Sequence, residues 1–209
     1  MMKNRIVFFS ALTVTLLMSS CTSDPKEIEV VKPEPTCKYS YNAESTEFEW
    51  TAFKTTEKVG VAGSFNEIKV TSIEVDNDKD VIESIQFSMN TASVETNNED
   101  RNGKVAKHFF ETINTETIDG SIQSLGEDGK AIVEISMNDL TIEVEGDYEL
   151  NVGIFTFETM IDLSLWNAIS GVDALNEICK DLHTGEDGVS KLWSEVQLSL
   201  KTTLTKTCE

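Results

Sequence analysis

The sequence predicts a mainly β fold, a closed antiparallel β-barrel of about eight strands with one amphipathic helix inserted before the last strand. Three observations carry that expectation. Apolar and polar residues alternate with period two in run after run from Glu47 onward, the mark of strands with one buried face. Clusters of Gly, Asp and Asn punctuate these runs as turns do. A single stretch, Ser164 to His183, instead carries its apolar residues at helical spacing.

In chain order, Phe48, Trp50 and Ala52 alternate with Glu47, Glu49 and Thr51 to make a first strand. Val59, Val61 and Phe65 share one parity in a second, with Gly60 and Gly63 suited to a bend or bulge. Ile68 to Val75 reads as a third, ended by the solvated turn Asp76 to Asp80. That run begins like an EF-hand loop, but Val81 and Phe87 stand where such a loop needs Gly and Glu.

Ile82 to Phe110 begins as a strand with Ile85, Phe87 and Met89 on one face and Ser84, Gln86 and Ser88 on the other. It leaves through the polar run Glu95 to Gly103, with a short helical turn near Lys104, and returns the aromatic pair Phe109-Phe110. Thr117 to Leu125 and Lys130 to Asn138 flank a hairpin signal at Gly126 to Gly129. Leu140, Ile142 and Val144 alternate with polar neighbours, and Tyr148 to Ile161 reads as another long strand. In the helix, Leu165, Ile169, Val172, Cys179 and Leu182 form one stripe, stopped by Gly185. The last strand, Leu192 to Leu204, puts Leu192, Val196, Leu198 and Leu200 on one face and Trp193 on the other.

The first twenty residues read as a signal peptide: Lys3 and Arg5, an uncharged apolar run from Ile6 to Met18, then Ser19-Ser20. The run is shorter than the ~20 residues of a membrane span. Cys21 directly after the small pair resembles the lipobox of bacterial lipoproteins, with Met18 in place of the more typical aliphatic residue. Acylation there would tether the protein to a membrane. Residues 21–36, with Pro25, Pro33 and Pro35, read as a semi-extended tether and residues 37–209 as one barrel domain.

Loss of the first twenty residues removes two positive charges and no negative ones, moving the net charge from −20 to −22. Such an acidic chain repels nucleic acid. Three cysteines remain after Cys21. Export implies an oxidising compartment, and in a closed barrel the start of the first strand lies beside the end of the last. Cys37 and Cys208 occupy those places, so the expected bridge is Cys37–Cys208 with Cys179 unpaired; Cys37–Cys179 is the alternative.

Catalytic chemistry is poorly supplied: G-x-S-x-G, H-E-x-x-H, the P-loop and G-x-G-x-x-G are all missing. The two histidines are His108 and His183. Cys179 and His183 are four apart on the helix, but two ligands do not make a zinc site, and His183 is expected to cap the helix end as a cation. No metal, cofactor or catalytic residue is assigned, and a binding protein is expected rather than an enzyme.

Several of these residues carry a resemblance. Ser93-Val94-Glu95-Thr96, a charged spacer with Arg101, and then Phe109-Phe110 resemble the signature of the YceI-like family, lipocalin-like periplasmic barrels that bind isoprenoid lipids. Trp50, Lys54, Lys58, Gly63 and Phe65 match the opening aromatic strand, lysine-bearing turn and G-x-F element of that family. An Arg-Asp pair of the family is Arg101-Asn102 here, and a following His position is Lys104; after Leu140-Thr141-Ile142 the family's turn is replaced by Glu145-Gly146-Asp147. The resemblance spans Glu47 to about Thr203. It implies a membrane-anchored lipoprotein, facing the periplasm or cell surface of a Gram-negative bacterium, whose lipocalin-like barrel holds an isoprenoid quinone or other long-chain lipid. The shared-parity apolar rows place the expected lining at Phe48, Trp50, Val61, Phe65, Ile85, Phe87, Met89, Phe109 and Phe110. Trp166 and Trp193 are expected near the helix cover, and Arg101 or Lys104 at the mouth, meeting a polar ligand end. The alternative is a structural or protein-interaction lipoprotein with a filled core; a homodimer is left open.

Overall fold

The computed structural model describes residues 36–209. The expected signal peptide, Cys21 and nearly all of the expected tether lie outside the described residues. In chain order the strands are β1 (Cys37–Ser40), β2 (Thr46–Lys54), β3 (Val59–Phe65), β4 (Ile68–Thr71), β5 (Gln86–Asn90), β6 (Val94–Glu95), β7 (Thr117–Leu125), β8 (Lys130–Met137), β9 (Leu140–Asn151), β10 (Ile154–Asp162), β11 (Leu192–Thr203) and β12 (Thr205–Cys208). The helices are α1 (Asp78–Glu83), α2 (Glu99–Val105), α3 (Ile169–Ile178) and α4 (Lys180–His183), with a π-helical turn over Ala106–Phe110.

Ten strands form one curled antiparallel sheet in the order β4-β5-β7-β8-β9-β10-β11-β2-β3-β6. The alternation that builds it is plainest in β8, where Ala131, Val133, Ile135 and Met137 are buried and the residues between them are not. The closed barrel of about eight strands is corrected here: β4 and β6 end the sheet and do not pair with each other. The chain turns a corner at Asn66-Glu67, so that β3 pairs with β2 and β6 while β4 pairs with β5. Two backbone bonds stitch the corner, Asn66 N–H to the Ser93 carbonyl at 2.9 Å and Asn90 N–H to that of Glu67 at 3.0 Å.

Four local expectations change as well. The stretch Ile68 to Val75 is a strand only to Thr71, after which Val75 bridges Tyr39. The acidic turn opens α1, with the Asn77 side chain accepting from the Lys79 N–H at 2.9 Å. Tyr148 to Ile161 is two strands, because Val152 and Gly153 both adopt left-handed φ, 50° and 77°, and make a two-residue hairpin turn. The long helix is a 3₁₀ turn over Leu163–Trp166, a left-handed break at Asn167, then α3 and α4. Val172 and Cys179 are buried, while Leu165, before that break, and Leu182, after a second interruption at Cys179, are exposed.

The helices sit at opposite ends of the curl. β10 (Ile154–Asp162) lies between Gly153 and Leu163, which stand roughly 30 Å apart at strand rise. At the Gly153 end, α1 packs Val81 and Ile82, both fully buried, and is held by two carboxylates. Asp78 accepts from the Gly153 N–H at 3.1 Å and Glu83 from the Leu125 N–H at 2.8 Å. At the Leu163 end lie the 3₁₀ turn, α3 and, packed on α3, the π-helical turn.

β1 and β12 form a separate two-stranded ribbon in which Cys37 faces Cys208, and the two are joined by a disulfide across 171 residues; Cys179 is a buried free thiol. Closing so long a loop is worth about 5 kcal/mol in the chain-entropy treatment. Urea unfolding of the Cys37→Ala/Cys208→Ala variant should show most of that loss. Either single substitution should match the double, since each opens the same loop; a loss under ~1 kcal/mol would mean the ribbon is held by its backbone pairing alone.

Candidate ligand-binding lumen

Inside the curl is a cavity of about 920 Å³ with a predominantly apolar lining. It follows from the alternation: on each strand every second residue points inward, and across a sheet this wide the inward side chains do not meet. β2 contributes Phe48 and Trp50, β3 Val61 and Phe65, and β5 Phe87 and Met89, with Ile85 just before it. Phe109 and Phe110 descend from the π-helical turn, and an aromatic row runs Phe48, Phe65, Phe110, Phe109 at successive ring-centroid separations of 6.3, 5.9 and 4.9 Å.

Two rings lie flat on the wall because their cross-strand partners are glycines. Trp50 faces Gly63, where a Cβ would stand 2.3 Å from the indole, and Phe87 faces Gly120, where a Cβ would meet its ring at 2.3 Å. Any larger partner would push these rings into the lumen. The glycines therefore set its bore.

Trp193 also lines the cavity, although its parity placed it on the outer face. A register shift between Leu192 and Val196 in the pairing of β11 with β2 brings both Leu192 and Trp193 to the lining. The Trp193 N–H donates to the Thr55 carbonyl at 2.7 Å, and the Lys191 ammonium stands 3.4 Å above its ring. Trp166 is a correction. It is fully buried outside the lining, its indole N–H donating to the Ile135 carbonyl at 3.0 Å and its own carbonyl accepting from the Asn138 amide at 2.7 Å. The break at Asn167 turns it under the sheet as a core anchor.

Polar groups collect where α2 and α4 approach the lumen: Lys54, Asn98, Asp100, Arg101, Lys104 and His183. Arg101 is exposed on α2, and its side chain has no hydrogen-bond or ion-pair partner among the described residues. Lys104 pairs with Asp100 at 2.6 Å, a contact that raises the lysine's pKa. The Lys54 ammonium donates to the Leu182 carbonyl at 3.0 Å. Asn102 is not at the rim. Its side-chain oxygen accepts from the Thr96 N–H and hydroxyl at 2.8 and 2.6 Å and its side-chain NH₂ donates to the Glu95 carboxylate at 3.1 Å, which staples α2 to β6.

His183 does not act as a cationic cap. Burial lowers its pKa, and the nearby Lys54 charge adds to that, so the ring stays neutral near pH 7. Its Nδ1 lies 3.0 Å from the Asn176 carbonyl oxygen. Burial raises the Cys179 thiol, which suits a lining residue rather than a nucleophile. Among the described residues no group of three or more His, Cys, Asp or Glu side chains is placed to hold a metal ion.

The reading from parity missed the far wall, where Ile118, Val133, Ile135, Phe157 and Ile161 complete the lining. Their alternation was visible, but not that these strands face β2 across an open space. Lys54 was also missed as a rim residue, because the strand end that carries it meets α4 only through tertiary contact.

A search of curated proteins finds no match to this chain. Among solved structures, a polyisoprenoid binding domain from Saccharophagus degradans implicated in plant cell wall breakdown superposes with a TM-score of 0.54 at 11% identity, covering 81% of this chain and 99% of that one. Burkholderia cenocepacia BcnA superposes with a TM-score of 0.52 at 14% identity, covering 80% and 99%. At such identities the likeness is one of fold. The family described as the YceI-like domain matches residues 39–204, nearly the whole of the curled sheet and its helices, and the chain belongs to that family.

Proposed function

We propose that this protein binds a long apolar chain in its lumen and sequesters or carries it, without chemistry on the guest. The observation that carries the reading is the apolar cavity of about 920 Å³, near the upper end of the ~300–1,000 Å³ usual for ligand pockets. Its walls favour hydrocarbon over water. Each methylene taken from water contributes about 0.8 kcal/mol, so a chain of ~20 such units would approach the ceiling of noncovalent affinity before entropy costs are subtracted.

Membership of the YceI-like family, and the likeness to a domain described as polyisoprenoid binding, support an isoprenoid chain, with an isoprenoid quinone or related lipid as the specific guest. The basic start, the apolar run from Ile6 to Met18 and Ser19-Ser20-Cys21 support an exported, membrane-tethered form facing the periplasm or cell surface.

Three experiments test this reading. Organic extraction of the purified protein followed by mass spectrometry should release a long-chain lipid, and the stripped protein should take up a prenyl quinone. Val61→Trp, which adds bulk in the open lumen, should cut that uptake tenfold or more with little change in melting temperature; no extractable lipid and no uptake would refute the proposal. Phe155→Ala, at a fully buried site outside the lining, should cost the usual ~3–5 kcal/mol. Phe87→Ala, at a ring exposed to the lumen, should cost clearly less and change lipid affinity instead; equal costs would indicate solid packing around Phe87. Finally, Cys21→Ser should move the protein from the membrane fraction to the soluble fraction of its host.

A further inference from the structure

We infer that the guest is anionic at its head: the lumen selects an amphiphile whose single oxyanion, carboxylate or phosphate, sits against Arg101, Lys104 and Lys54. This rests on the lumen being the binding site, and among long-chain lipids it favours an anionic amphiphile over a neutral quinone.

The first argument is a reversal of charge. Over the whole chain Asp and Glu outnumber Lys and Arg 37 to 17. Among the charged residues that line the lumen the order is inverted, with Lys54, Arg101 and Lys104 against Asp100 alone. Solubility does not ask for cations on the inner rim of an acidic protein. A ligand charge does.

The second argument is convergence. The three cations come from separate elements, Lys54 from the end of β2 and the other two from successive turns of α2. All three line the lumen at the end where α2 and α4 approach it, together with the buried Cys179. The third is availability. Lys54 is bound only to a neutral carbonyl, and Arg101 has no partner among the described residues, so two cations keep donors for a guest. An arginine fork offers paired donors that match a carboxylate or phosphate. The apolar wall begins beside them at Val105 and Phe109, so a head held here leaves its tail in the lumen.

The test uses the protein's own fluorescence, since Trp50 and Trp193 line the lumen. Affinities of the lipid-stripped protein are measured by tryptophan quenching for two matched pairs, oleate against oleyl alcohol and farnesyl phosphate against farnesol. The anionic member of at least one pair should bind ten or more times tighter at low salt, and the ratio should shrink as sodium chloride is raised. The pair with the larger ratio identifies carboxylate or phosphate as the head. Arg101→Gln/Lys104→Gln should bring the ratio to within about threefold of one, while Arg101→Lys/Lys104→Arg, which keeps both charges, should preserve it. Equal affinities within both pairs, or a ratio indifferent to charge removal, would overturn the inference. Failure of all four lipids to bind would instead remove the binding reading on which it stands.

Discussion

The constraint on which this molecule depends is that a curled sheet of ten strands has more inner surface than its own side chains can fill. Alternation forces half of each strand inward. Curvature holds the opposite walls apart, and the glycines facing Trp50 and Phe87 let the two largest rings on their strands lie along the wall instead of across the space. The result is an apolar interior with room in it, a state that water occupies poorly and hydrocarbon occupies well.

The two ends of the curl are treated differently, and that difference gives the site its direction. One end is shut by α1, whose Val81 and Ile82 are packed without residual exposure and whose acidic residues tie down the ends of neighbouring strands. The other is covered by helices that carry charge. There the lining changes from hydrocarbon to Lys54, Arg101 and Lys104, within reach of a thiol that burial keeps protonated. An amphiphile thus meets a surface graded as it is itself graded.

The disulfide stands outside this arrangement. It joins β1 to β12 in a ribbon apart from the main sheet and contributes nothing to the lumen lining. Its part is to fasten the ribbon that extends the start and end of the domain beyond the paired strands β2 and β11.

The sequence by itself determined what depends on neighbours a few residues apart. Period-two alternation located most strands, as with Thr117–Leu125 in β7, and parity identified Phe48, Val61, Phe87 and Met89 as inward-facing. Local signals were read less well where two meanings compete: Asn77 and Asp78 spell a turn or a helix cap, and only the burial of Val81 and Ile82 selects the cap. Tertiary structure alone decided the rest, because it turns on distances between segments far apart in the chain. The missing pairing between β4 and β6 leaves the barrel unclosed, the register shift in β11 turned Trp193 inward, and the break at Asn167 removed Trp166 from the lining. Whether facing walls touch or leave about 920 Å³ between them is set by how the sheet curves, a sum of small twists that no single stretch of residues encodes.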